Sequence, residues 1–394
     1  MTLPLAGLTV LDFGHTVMGP TCGLILADLG ADVIRVEPAT GDPTRRLKGF
    51  GTGYFGFFNR NKRSIAVDLK TPDGRTVGHD LIAGADILIE NFGPGAMERL
   101  GLGYAAVAEV NPRLIYASLK GFLKGPYDQR LALDEVVQMM SGLAYMTGPS
   151  GRPLRAGSSV VDITGGMFAV IAILAALRER DRTGRGALVE SALYEAAVFL
   201  MGQHLCYSAQ THGPIPPMPE RVSAWAVYDL FDVAGGRQVF IGITSDAHWE
   251  RFCAAAGRAD LAADAGLATN NLRIAARERL MPVLRALFAA MTADEAVALA
   301  ETARIPFSPI ARPEDLFGDP HLEATGGLVE TRLPGGIDTR LPRLPIRIAD
   351  QGFGLTRNPP AAGQHSGEVL RGFGFSEARI AALVAGGVVV EGAE

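Results

Sequence analysis

The chain has 394 residues, 48% of them hydrophobic and 20% charged, with a formal net charge of −5. That composition belongs to a globular protein long enough for two domains and excludes a disordered chain. The acidic balance argues against nucleic acid as the main partner, because a surface that neutralises phosphates needs a basic excess, although a local Arg or Lys cluster can still hold a small anion.

The first residues, MTLPLAGLTVLDFG, carry no basic region and run directly into a strand pattern, so no signal peptide is expected. LTVLDF (Leu8 to Phe13) is a short apolar run, GPTCGLILADLG (Gly19 to Gly30) reads as a helix, and DVIRVE (Asp32 to Glu37) is a second strand, which together make a βαβ unit. SIAVDL near Ile65, DILIEN ending at Asn91 and LIYASLKG around Ile115 are further strands with helical stretches between them. The alternation predicts an open, mainly parallel, Rossmann-like α/β sheet whose ligand sites lie at the carboxyl ends of strands.

Next comes SSVVDITGGMFAVIAILAALRERDRTGRG, where the run from Met167 to Leu177 has no polar face and predicts a helix buried all round. Eleven residues are too few to span a bilayer, so no membrane partner is expected. Basic residues and then Gly184 suit the helix C-terminus. Asp162 stands at its start, where Asp is a favoured N-cap, and Gly165 and Gly166 leave backbone open beside it.

Residues 207–224, with YSAQTHGPIPPMPERV, are rich in Pro and polar residues and read as a linker. AVYDLFDVAGGRQVFIGIT then forms a hairpin around Gly235 and Gly236, and Ala-rich helical segments follow to about Ala303. The expected division is a large α/β domain of residues 1–206 plus 328–394 and a small α+β domain of residues 225–327. The segment GEVLRGFGFSEARIAALVAGG closes the chain as helix.

Familiar site patterns fail on spacing. Glycines at 14, 19 and 23 do not make the G-x-G-x-x-G of a dinucleotide turn, although Glu37 ends the second strand where such proteins keep an acid for the ribose. GRPLRAGS has one residue too many between its glycines for a phosphate loop, and Ser158 stands where Lys is needed. The seven histidines include no H-x-H or H-E-x-x-H pair, so no protein-bound metal is expected. Cys22, Cys206 and Cys253 are odd in number and far apart, which fits a reduced, cytoplasmic protein. His15, in the first strand-to-helix turn, is placed either to pack or to touch substrate.

The chain resembles the class III CoA-transferases of the formyl-CoA and carnitine CoA-transferase (CaiB/BaiF) type. The blocks that carry the resemblance are LDFGHTVMGP, LGADVIRVEPATGDPTR, FFNRNKRSIAVDLKTPDGR, ILIENFGPGAMERLGLGY, NPRLIYASLKGFLKGPY, VVDITGGMF, RTGRG, IPFSPIARPEDLFGDPHL and GQHSGEVL. The resemblance implies that Asp162 is a nucleophile that carries CoA as a covalent aspartyl thioester. An aspartate of ordinary pKa, about 3.9, is ionised at pH 7 and needs no general base, which suits a site without a histidine partner. Gly165 and Gly166 are the expected backbone donors to the oxyanions.

The resemblance further implies that CoA or acyl-CoA, bound as a substrate and not as a resident cofactor, meets Val17, Met18, the Val67, Asp68, Leu69, Lys70 segment, Asn91, Phe92, Gly93, Arg99, Leu133 and Asp134. It also implies an interlocked homodimer. Two departures matter: Pro38 follows the acid of the second strand where formyl-CoA transferase has Arg, and that enzyme's glycine-rich loop is missing. The α-methylacyl-CoA racemases share these blocks but need a His before the Asp, and here Leu133 precedes Asp134; a noncatalytic or NAD-dependent nucleotide-binding protein is the other alternative. Arg45 and Arg46 in GDPTRR follow the second strand, and Arg46 is expected to pair a second substrate carboxylate, which predicts short dicarboxylic acids with succinyl-CoA as donor.

Overall fold

In a computed structural model, which describes residues 3–221 and 223–392, six strands run parallel: β1 (Thr9–Asp12), β2 (Asp32–Glu37), β3 (Lys62–Val67), β4 (Ile87–Glu90), β5 (Ile115–Lys120) and β6 (Leu188–Ala192). A two-residue strand, β7 (Val389–Val390), adds antiparallel to β3, and the order across the sheet is β7-β3-β2-β1-β4-β5-β6. This is the doubly wound arrangement, in which the strand order reverses between β1 and β4 and opens a crevice at their carboxyl ends.

Most strand residues are buried because both faces of the sheet are covered, and the apolar ones fill a core on each face. On one face Val10, Val33, Ile87, Ile115 and Ala117 pack with α1 (Met18–Asp28) and α3 (Val160–Thr183); α2 (Asp134–Met140) adds Val137. On the other, Leu11, Ile34, Ile65 and Leu88 pack with Val77 and Leu81 of the helix Pro72–Ala83 and with Val369, Leu370 and Ile380 from the closing helices Ser366–Gly372 and Glu377–Ala385. β6 and β7 were not expected from the sequence. LVESA is short and half polar, and Val389–Val390 makes sense only against β3.

The helix bearing Asp162 corrects three expectations. It runs for 24 residues, and by length and mean hydropathy, 2.3 over eighteen residues, it could cross a bilayer, so shortness does not exclude a membrane. It is not buried all round. Val161, Ala169, Val170, Ile173 and Leu177 enter the core, whereas Met167 is 49% and Ile171 60% exposed, and this apolar stripe continues through Phe199, 71% exposed, on α4 (Leu193–Leu200). Nor is Asp162 the N-cap. That position is Ser159, and Asp162 lies within the first turn. Gly184 does end the helix in the left-handed conformation, φ 73°, as its place after the basic residues predicts.

Contacts group the chain into one unit up to Glu220 and from Glu323 onward, and a second from Arg221 to Leu322. The expected linker begins inside α5 (Gly202–Thr211), because no helix breaker precedes Gly213 and His212 takes the left-handed cap. In the second unit, strands Val227–Val233 and Arg237–Ile243 pair antiparallel across Gly235 and Gly236, both at positive φ, and Phe307–Pro309 adds a third strand. The helices Asp246–Ala255, Arg277–Ala289 and Ala293–Ala303 close a separate core around Phe231, Trp249, Phe252 and Phe288.

Candidate active site

The turn after β1 and the turn after β4 are tied across the reversal point. The His15 amide donates to Asn91 Oδ1 at 2.7 Å, and Asn91 Nδ2 donates back to the His15 carbonyl at 3.0 Å. The glycines of GHTVMGPTCG serve packing: a Cβ on Gly14 would lie 2.7 Å from the Gly19 backbone, so the strand end and the start of α1 touch only because both are glycine. Thr16, between them, holds φ 65°, a left-handed conformation that costs a branched residue energy and that the surrounding contacts impose.

Beneath this turn lies a buried charge network. Asp12, fully buried, accepts from Lys62 Nζ at 2.7 Å and from the Gly14 amide at 2.8 Å, and Arg35 stands 3.8 Å away. Arg35 also pairs with Asp42 and donates to the Asp12 carbonyl at 3.0 Å. Glu37 takes two hydrogen bonds from Arg45, at 2.8 and 2.6 Å, and others from Ser64 and the Asp42 amide. The acid that a dinucleotide's ribose would need is therefore already fully occupied.

At the start of α3 a second helix supplies the cap. Asp134 Oδ2 accepts from the amides of Val161, at 2.9 Å, and Asp162, at 3.2 Å. Its other oxygen accepts from Gln138, whose own amide oxygen takes the Ala156 amide at 2.8 Å, so one face of α2 pins the segment that leads into α3. Arg155 approaches the same carboxylate at 3.5 Å.

Asp162 then points into a cavity of about 220 Å³. Its carboxylate accepts no hydrogen bond among the described residues. Burial, and next the negative charge of Asp134, push its pKa from the ordinary 3.8 up to about 7, with Arg155 opposing. The expectation of full ionisation at pH 7 is therefore corrected to about half. His15 lines the same cavity, 5.6 Å from the Phe92 ring, and burial, followed by the Arg35 charge, lowers its pKa, so it is neutral at pH 7.

The cavity gathers many of the expected residues: His15, Met18, Asn91, Phe92, Gly93, Leu133, Asp134 and Asp162. A neighbouring cavity of about 310 Å³ shares His15, Thr16 and Phe92 with it and extends past Arg35 and Pro38. Val17 is buried against Leu24 and Phe58, and Val67, Asp68, Leu69, Lys70 and Arg99 line neither cavity.

Two assignments change. Gly165 and Gly166 lie inside α3, where amides bond the carbonyls four residues back and are not free for an oxyanion. Their role is close packing: a Cβ on Gly165 would meet Met18 Cε at 2.6 Å, and one on Gly166 the Met18 carbonyl at 2.8 Å. Arg46 donates to the Thr40 carbonyl at 2.9 Å on the surface and lines neither cavity, while Arg45 is held by Glu37 and the Phe55 ring. Sequence reasoning missed Lys120, Arg130 and Gln138. Gln138 was signalled by its place four residues after Asp134, on the same helix face; Lys120, at the carboxyl end of a predicted strand, was signalled by position alone, and Arg130 had no signal.

Comparison with known proteins finds relatives along nearly the whole chain. The family model described as CoA-transferase family III matches residues 5–366. An acyl-CoA transferase of Fusarium pseudograminearum is 36% identical over 98% of this chain and 88% of its own length. A succinate–glutarate CoA-transferase of Agrobacterium fabrum is 33% identical over 93% of this chain and 95% of its own. Among solved structures, a CaiB/BaiF family protein from Brucella suis is 32% identical with a TM-score of 0.83, covering 95% of this chain and 100% of that one.

Proposed function

The chain belongs to CoA-transferase family III, and we propose that it moves CoA from an acyl-CoA to a short carboxylic acid through a thioester on Asp162. The observation that carries this reading is an unpartnered carboxylate, its pKa pushed up to about 7, facing a cavity at the reversal point of the sheet. Ionising such an acid is costly, and making it an acyl derivative removes the charge, so its surroundings favour the covalent state.

In the first step an Asp162 oxygen attacks the thioester carbonyl, the C–S bond breaks, and CoA leaves as the thiolate from a mixed anhydride. The thiolate then attacks the Asp162 carbonyl, the donor acid departs as its carboxylate, and Asp162 is left as the CoA thioester. The acceptor carboxylate repeats both steps in reverse order, which restores Asp162 and releases the new acyl-CoA. No proton is gained or lost overall, which suits a site whose histidine is neutral. His15, with no hydrogen-bond partner on Nε2 among the described residues, is proposed to donate to the substrate oxygen in place of the glycine amides. Asp134 holds the first turn of α3 in position.

The proposed acids are short dicarboxylates with succinyl-CoA as donor, supported by the name of the succinate–glutarate relative. The racemase alternative is disfavoured because Leu133, which cannot exchange a proton, lines the cavity beside Asp134. We place the enzyme in the cytoplasm, supported by three free cysteines, and propose a homodimer, supported by the exposed stripe of Met167, Ile171 and Phe199; a mass of one chain by light scattering would remove the dimer.

The deciding experiment is incubation with succinyl-CoA followed by mass spectrometry of the peptide bearing Asp162. A CoA adduct is expected, and Asp162→Asn loses both the adduct and turnover, by at least ~10⁴-fold. An unmodified wild-type peptide, or an active variant, overturns the mechanism.

A further inference from the structure

Two cations line the cavity that holds Asp162, and they differ in what occupies them. Lys120 Nζ donates to Glu90 at 2.7 Å and to the Phe92 carbonyl at 2.9 Å, so it is committed to holding the turn after β4. Arg130 has no carboxylate or carbonyl partner for its guanidinium among the described residues. Its guanidinium carbon lies over the Tyr127 ring, 4.1 Å from the centroid. That ring rests edge-on against Phe122, 5.6 Å away, and Tyr194, 6.3 Å away, and Phe122 is buried. Tyr194 is fixed in turn by its amide, which donates to the Gly121 carbonyl at 3.0 Å, and its neighbour Leu193 also lines the cavity.

An arginine stacked on an anchored aromatic platform gives up little side-chain freedom when it binds, and its edge remains open to a planar bidentate acceptor. A carboxylate is such an acceptor. The cavity already contains the acids Asp128, Asp134 and Asp162, so a dianionic substrate entering it meets repulsion unless a cation compensates. Arg130 is the cation in that cavity still able to do so.

We propose that Arg130 binds the remote carboxylate of the acyl group or acceptor acid and sets the preference of this enzyme for dicarboxylic over monocarboxylic substrates. The proposal rests on CoA transfer through Asp162 as read above, and it replaces Arg46 in the recognition role. The test compares glutarate with pentanoate, which has the same number of carbons and no second carboxylate, as acceptors from succinyl-CoA, in wild type, Arg130→Gln and Arg130→Lys.

Wild type is expected to favour glutarate in kcat/KM. That preference falls about 10- to 100-fold in Arg130→Gln, the range for losing hydrogen bonds to a charged group. Arg130→Lys, which keeps the charge but not the fork, retains an intermediate preference. A wild-type enzyme that forms the Asp162 adduct but does not prefer glutarate overturns this proposal and leaves the mechanism standing. So does an Arg130→Gln variant whose preference is unchanged. Absence of the adduct in wild type overturns the mechanism, and this proposal with it.

Discussion

Two acids, Asp12 and Asp162, sit near the carboxyl end of the same sheet in opposite surroundings. Asp12 is fully buried, and its oxygens are taken by Lys62 and the Gly14 amide with Arg35 close by. Asp162 is partly buried, opens on a cavity, and has a negative neighbour and no hydrogen-bond donor among the described residues. Both lie beside the crevice where a doubly wound sheet binds ligands. A buried charge whose partners are complete is a strut, since its energy is lowest when nothing moves. A buried charge without partners is a standing cost, and such a cost persists where function needs it.

Breaking the network around Asp12 tests the first half of that contrast and carries the largest expected effect on stability. Lys62→Met keeps the apolar stem and removes the ammonium, leaving Asp12 with Arg35 at 3.8 Å as its remaining cation. The expected loss is about 3–5 kcal/mol, read from urea unfolding at pH 7. A loss below about 1 kcal/mol would mean that Arg35 alone satisfies Asp12.

Next in size is the fit of the Asp162 helix against α1. Gly166→Ala adds helix propensity but puts its Cβ 2.8 Å from the Met18 carbonyl and 2.9 Å from Thr21 Cβ. Because the nearest atom is backbone, α1 must shift, and the expected cost is about 1–3 kcal/mol with reduced turnover, since Met18 also lines the cavity. A neutral or stabilising result would show that the two helices separate without strain.

What the sequence reveals divides along the same line. The first five parallel strands are legible because a sheet covered on both faces draws apolar runs such as Ile65–Val67 and Ile87–Ile89 into its cores, whatever they pair with. Asp162 is legible through the VVDITGGMF block. The surroundings that raise its pKa are not. Asp134 acts on it from 28 residues away, and the Asp12 network joins residues 23 and 50 positions apart. Spacing within one element says nothing about such pairs. Arg45 and Arg46 misled for the same reason: adjacent arginines after a strand look like a binding pair until Glu37 and the Thr40 carbonyl are seen to hold them.

The smallest and most discriminating effect concerns the proton on Asp162. Its pKa is 3.8 ordinarily and about 7 in the fold. Well below pH 4, at about pH 3 and lower, the group is mostly protonated in folded and unfolded chains alike and costs little. Between pH 4 and 7 the unfolded chain ionises first, so stability falls, and above pH 7 the cost is fully present. Asp162→Asn, similar in shape and uncharged, therefore comes close to wild type at pH 3 and is more stable at pH 8. The expected gain is about 1–2 kcal/mol, less than the full shift implies because cavity water screens the carboxylate. Under the proposed mechanism catalysis runs the other way, since only the ionised acid attacks: kcat/KM is expected to rise with pH around a midpoint near 7. Asp134→Asn removes the second cause of the raised pKa, so the midpoint moves down. In that background Asp162→Asn also gains less stability at pH 8, a coupling that a double-mutant cycle reads directly. A midpoint that stays near 7 without the Asp134 charge would assign the raised pKa to burial alone, and Asp134 would then matter only as the cap of the helix.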